Sequence, residues 1–211
     1  MVVRGDATEL LAGLPTAGVD AVVTDPPWNL GRPYGGHDDR LPDDQYVRWL
    51  NGILRQCARI SRGPVVACVG THNAGRLPRL LAGTGLGVAA RLWWHREPGS
   101  AEAVVVTAPP GWQVRGPRLD AAERVLARTP ETRRRWGHPV PKPLPVMTAL
   151  VRLSAPPGGL VLDPFAGSGT TLAAARRAGR RSIGVELEAR FCRTAVRRLA
   201  LAPTGRSERR A

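Results

Sequence analysis

A chain of 211 residues with 43% hydrophobic content is long enough to bury one sizeable core and too short for two full domains. Its 31 Lys plus Arg against 17 Asp plus Glu leave a formal charge of +14, the footprint expected for a polyanion partner, although every cation but Lys142 is Arg and such a composition also follows coding bias. No basic leader precedes a long apolar stretch, and no apolar run approaches the roughly 18 residues of a membrane span, so the reading is a soluble cytoplasmic protein with no membrane partner.

In chain order, VVR at the start and DAVVTD at 20–25 read as buried strands. Asp43 to Ile60 is an amphipathic helix, with Tyr46, Leu50, Ile53, Leu54 and Cys57 at helical spacing behind an Asp-Asp start. GPVVACVG at 63–70 is the next strand. AARLWWH at 89–95 and AEAVVVTAP at 101–109, joined by the turn-like EPGS, read as an antiparallel hairpin at a sheet edge. From 111 to 137 the pattern turns polar and basic, as in an inserted recognition segment, and Trp112 and Trp136 flank its arginines.

GLVLD at 159–163 and RSIGVEL at 181–187 are two further buried strands. Thr170 to Ala178 is a helix closed by Gly179, and a last helix carries Leu187, Phe191, Ala195 and Leu199 on one face and Arg190, Arg193 and Arg197 on the other. Strands alternating with helices predict an α/β, doubly wound, mostly parallel sheet of Rossmann type in a single domain over 1–202, followed by a basic, disordered tail over 203–211. Cys57, Cys68 and Cys192 are odd in number and lie in apolar surroundings, so they read as reduced core residues. The four histidines lack ligand spacing, and no metal is expected.

Two sites carry chemistry. The first spans 159–188: strand, tight turn with Gly167 and Gly169, helix, then a second strand ending in Glu186. An acid about twenty residues beyond such a turn is where ribose hydroxyls are bound in nucleotide-binding α/β folds. A phosphate loop would carry Lys after the second glycine, where Thr170-Thr171 stands, and a dinucleotide fingerprint would carry glycine where Leu172 stands. The expected cofactor therefore holds adenosine without phosphate, which S-adenosylmethionine fits.

The second site is Asp25-Pro26-Pro27-Trp28, directly after a buried strand at the sheet edge where ligands bind. An exocyclic aromatic amine is a poor nucleophile because its lone pair is delocalised, so acceptors for both N–H groups are needed to free that pair. Asp25 and the Pro26 carbonyl can supply them, the two prolines fix their geometry, and Trp28 offers a face for a base turned out of its stack. A rigid turn with a core tryptophan is the plainer reading.

Together these motifs resemble the amino-methyltransferases of DNA, in the permuted group whose catalytic motif precedes the cofactor motif. Asp25-Pro26-Pro27-Trp28 is similar to the family's catalytic motif, Asp163-Pro164-Phe165-Ala166-Gly167-Ser168-Gly169-Thr170-Thr171 to its cofactor loop, and Glu186 to its ribose-binding acid. The resemblance extends to HPVPKPLPVMTALV, which implies that His138, Lys142 and Pro143 enclose the methionine end of the cofactor, and to Asp6, which falls near the adenine. Capping of the helix that begins near Ala7 is the other role for Asp6.

The implied function is transfer of a methyl group to the amine of a flipped base in DNA, adenine N6 foremost. Cytosine N4, RNA adenine, and a non-catalytic binding subunit of the same fold are the alternatives. Ring-carbon methylation is excluded because no cysteine follows a proline. Relatives in that family carry larger recognition inserts. Here only 111–137, with Arg115, Arg118, Arg128, Arg133, Arg134 and Arg135 toward phosphates, and the loop Asn29–Pro42 are free to touch DNA, which leaves a homodimer open for a long site.

Overall fold

The computed structural model describes residues 1–97, 100–112, 125–126 and 136–203. In chain order they form β1 (Val2–Arg4), α1 (Ala7–Ala12), β2 (Ala21–Thr24), α2 (Asp43–Ile60), β3 (Val65–Cys68), a 3-10 turn (Thr71–Arg76) running into α3 (Leu77–Leu81), β4 (Gly87–Glu97) and β5 (Ser100–Ala108). There follow β6 (Val125–Leu126), α4 (Leu144–Ser154), β7 (Leu160–Asp163), α5 (Thr170–Arg177), β8 (Arg181–Glu186) and α6 (Ala189–Leu201). All eight strands join one sheet in the order β1-β8-β7-β2-β3-β5-β4-β6.

From β1 to β3 the pairing is parallel, and β5 then turns antiparallel against both β3 and β4. The hairpin is thus present, but its second strand is the one that meets the sheet, and the two residues of β6 pair outside β4. Every residue of β2 and β3 is buried. Side chains alternate between the two faces of a strand, so a strand with helices on both sides must be apolar throughout. Val23 and Val66 meet α4 and α5 through Val146, Leu150, Val151 and Ala174. Val22 and Val65 meet α1 and α2 through Leu11, Tyr46, Leu50, Ile53 and Cys57. Each such aliphatic residue contributes roughly 1.5–3 kcal/mol by leaving water.

The last helix turns Phe191 and Ala195 inward and Arg190, Arg193 and Arg197 outward as expected, but Leu199 is only half-buried and Arg198 joins the buried face. Its buried face is Phe191, Ala195 and Arg198. Arg198 donates to the Ser168 hydroxyl at 3.2 Å and lies 4.7 Å over the Trp136 ring, which compensates its buried charge and takes Trp136 into the core at 8% exposure. Trp112 likewise packs against the core. These two indoles are therefore structural, not free to stack on displaced bases. Arg115, Arg118, Arg128, Arg133, Arg134, Arg135 and the tail from 204 lie outside the described residues.

Candidate active site

The parallel strands bring four acids to one edge of the sheet. Asp25 and Asp163 follow or close β2 and β7, Glu186 closes β8, and Asp6 stands two residues beyond β1. A single cavity is lined by all four, together with Phe165, Gly167, Ser168, Thr170, His138 and Lys142. Asp6 lines the cavity, and its carboxylate also caps α1 by accepting from the Thr8 N–H at 2.7 Å.

The turn after β7 is held by its own acids. Asp163 accepts from the Thr24 hydroxyl at 2.8 Å and the Phe165 N–H at 3.0 Å. Glu186 accepts from the Gly167 and Glu188 N–H groups, each at 2.8 Å. The Ala166 and Gly169 amides go to the carbonyls of Val185 and Ala166. Loop amides that would cradle a phosphate are thus spent on the protein, and the surrounding carboxylates repel an anion. Burial pushes the Asp163 carboxyl up to about 6 and raises that of Glu186 as well.

The two glycines serve different ends. Gly167 has φ +50° and a Cβ there would sit 2.8 Å from His138 Nε2, so its bareness lets the imidazole close over the loop. Gly169, at φ +80°, starts α5, and a Cβ would meet Ala195 of α6 at 2.8 Å. It does not line the cavity: its role is helix packing instead of the expected contact with cofactor. His138 is pushed down to about 4 by burial and by Lys142, so its imidazole is neutral, and Nδ1 accepts the Val140 N–H at 3.3 Å.

At the other end of the cavity Lys142 lies 2.8 Å from Asp25 Oδ2 and 3.3 Å from Glu102 of β5. Lys142 was expected at the methionine end, and it does line the cavity, but its ammonium is committed to these acids. Asp25 Oδ1 is buried without a hydrogen-bond partner. Among the described residues nothing donates to the Pro26 carbonyl, whereas the Pro27 carbonyl accepts from Tyr46 Oη at 3.0 Å and that of Trp28 lies 3.0 Å from His72 Nε2. Burial pushes the Asp25 carboxyl up to about 6 against the pull of Lys142, with Glu102 and Asp163 adding to the rise. For Lys142 the two carboxylates outweigh burial and hold it above its ordinary value.

Trp28 is placed differently from the stacking face expected of it. Its indole N–H donates to the Cys68 carbonyl at 2.8 Å, its ring packs on the core, and Lys142 Nζ sits 4.4 Å from the ring centre. It does not line the cavity. Tyr34 does, with His37, from the loop 29–41. Asp39, 3% exposed, accepts the N–H groups of Asn29, Leu30 and Arg32 at 2.7, 3.0 and 2.8 Å. Asn29, at φ 63°, pairs its amide with Leu41, and Glu188 accepts the Gly36 N–H at 2.8 Å. The loop is thereby folded across the cavity mouth.

The doubly wound sheet thus carries, at the ends of its parallel strands, a cavity lined by four carboxylates, which is where open α/β sheets bind their ligands. A DNA methylase family model, that of the N6/N4 methylases, matches residues 119–197 of the chain. The chain is 25% identical over 244 residues to the DNA adenine methyltransferase YhdJ of Escherichia coli K12, covering 95% of this chain and 83% of that protein. Among solved structures it is similar to TTHA0409, a putative DNA modification methylase of Thermus thermophilus complexed with S-adenosyl-L-methionine, at 29% identity and TM-score 0.74 over 98% of this chain and 95% of that one. The cytosine-N4-specific PvuII DNA methyltransferase shares the fold, with TM-score 0.76 at 20% identity over 93% and 85% of the two chains.

Proposed function

We propose that the protein transfers a methyl group from S-adenosylmethionine to the exocyclic amine of a base in DNA, adenine N6. The observation that carries this reading is Asp25 Oδ1, an unspent acceptor on a residue that lines the same cavity as Glu186, followed in the chain by the Pro26 carbonyl, to which no described residue donates. The cofactor supplies a methyl group made electrophilic by its sulfonium. Asp6 and Glu186 are placed for the adenosine, and the excess of carboxylates over Lys142 suits a cationic sulfonium where it would oppose a phosphate.

Asp25 and the Pro26 carbonyl accept the two amine N–H groups and hold the nitrogen lone pair out of conjugation, directed at the methyl carbon. Alignment and preorganised acceptors carry the rate. Asp25 stabilises the positive charge that develops on nitrogen, and the surplus proton leaves to solvent. Aspartate at the first motif position, similar to the adenine enzymes, supports adenine over cytosine, as does the likeness to YhdJ. The charge of +14 suits a phosphate backbone, which the arginines of 111–137 would meet.

The test is tritiated-methyl transfer to amplified, unmethylated duplex DNA, followed by mass spectrometry of the nucleosides. N6-methyladenine is expected, N4-methylcytosine would move the target to the other amine, and absence of label would overturn the reading. Asp25→Ala is expected to abolish transfer while calorimetry finds cofactor affinity within a few fold of wild type.

A further inference from the structure

Glu102 was not among the residues expected to serve the site. It is the one charged residue of β5, on the antiparallel side of the sheet, and its side chain is 12% exposed. An acid is kept in such a place only where something pairs it. Its partner Lys142, 5% exposed, is the sole lysine of the chain and also the partner of Asp25.

One cation is thus shared by two buried carboxylates, at 2.8 and 3.3 Å. A lysine with a single anionic neighbour can swing to bridge both oxygens of that carboxylate. Drawn from the β5 side as well, Lys142 reaches only Asp25 Oδ2, and Oδ1 is left without a partner. Trp28, with Lys142 Nζ 4.4 Å from its ring centre, bounds the ammonium on a further side.

We infer that Glu102 is a positioning residue for methyl transfer: by holding Lys142 from the edge strand it keeps one oxygen of Asp25 open for the amine of the target base. This rests on the amine-methylating function proposed above. Glu102 touches neither base nor cofactor in this scheme and acts through Lys142 on Asp25.

The charged and titratable groups facing Asp25 are Lys142, Glu102, Asp163, Cys68, Tyr34 and Tyr46. Burial raises the thiol and both phenols far above neutrality, so they stay protonated. Asp25 and Asp163 both titrate near 6, but Glu102 bears on Asp25, whereas the charge acting on Asp163 is Glu186. Removing the Glu102 charge therefore lowers the Asp25 pKa and leaves that of Asp163 in place.

The experiment is the pH profile of kcat between pH 5 and 9 for wild type and Glu102→Gln, with tritiated S-adenosylmethionine and amplified duplex DNA. The acid limb is expected to move to lower pH in Glu102→Gln, and kcat at pH 8 to fall about tenfold, as for a modest misplacement, with KM for the cofactor within twofold. The limb decides: if it stays where it is in wild type, with or without a fall in kcat, Glu102 is merely structural and the inference is overturned. Glu102→Asp, which withdraws the carboxylate by one methylene, is expected to move the limb the same way by less, and gives the reading if the Gln variant does not fold. Failure of the wild type to label DNA at all would instead count against the amine-methylating function.

Discussion

Trp28, expected to offer a stacking face, lies against the core with its N–H bound to Cys68, whereas Tyr34, six positions on, lines the cavity. Trp28→Ala is expected to cost about 2–4 kcal/mol of stability, less than a fully buried tryptophan would, measured by denaturant unfolding. Tyr34→Ala is expected to leave that stability nearly unchanged and to raise KM for DNA roughly tenfold, within the range for a lost stacking contact. Equal losses of stability would show that both rings are core. The motif residues Asp25, Asp163 and Glu186 were legible because strand ends in this architecture must meet at one edge. Which side of its backbone an aromatic faces is decided by neighbours that are distant in sequence, here Cys68 and Lys142. Glu102 did leave a signal, a lone acid in AEAVVVTA, whose meaning depended on a lysine on another element.

At the scale of elements, the loop between β2 and α2 is as ordered by its hydrogen bonds as a helix end would be. Asp39 gathers three backbone N–H groups and Glu188, at the start of α6, holds a fourth at Gly36. Asp39→Ala leaves those donors unpaired in a half-buried place, and about 2–4 kcal/mol of local stability is expected to be lost. The measurement is protease cleavage between residues 30 and 41, which should accelerate, together with KM for cofactor, which should rise. The long helix α2 was legible end to end because seven buried apolar residues repeat at its period. The loop was not, since GRPYGGHDD carries only turn residues and its order comes from Asp39 folding back on its own chain. Of the buried face of α6, Phe191 and Ala195 were legible and Arg198 was not: an arginine at that spacing reads as surface until Ser168 and Trp136 are seen to receive it.

For the whole molecule, gathering acids and histidines at one edge sets how stability follows pH. Asp25 and Asp163, raised from 3.8 to about 6 by burial, bind protons more tightly folded than unfolded, so their contribution is full below 3.8 and is lost as pH rises through 6. His138, lowered from 6.5 to about 4 by burial and Lys142, acts oppositely: its contribution is full above 6.5 and is lost as pH falls through 4. His37, also lowered by burial, adds to this second slope. The two slopes oppose each other between about 4 and 6.5, and the melting midpoint of wild type is expected to be nearly level there. His138→Gln together with His37→Gln removes that second slope, so this double variant should gain about 1–3 kcal/mol on acidification from pH 7 to 5, read by thermal melts across the range. A level profile in the variant would show that the buried carboxylates do not titrate in this window. Arg48, Arg76 and Arg79 hold the exposed Asp44 and Asp43 low, and their contributions are lost only at pH values below it.

The pairing of β1 with β8 has a kinetic consequence. Met1 N donates to the Ser182 carbonyl, 181 positions along the chain, and Gly5 and Asp6 complete one wall of the cavity only when that strand is in place. At roughly 5–20 residues per second of synthesis the interval between the two strands is on the order of ten seconds or more. During it the first strand leaves the ribosome with no partner, exposed to whatever else will add to its edge. A nascent chain that already carries Asp25 therefore has no complete cavity wall, and the wall closes at once, when β1 is captured by β8, a strand made much later.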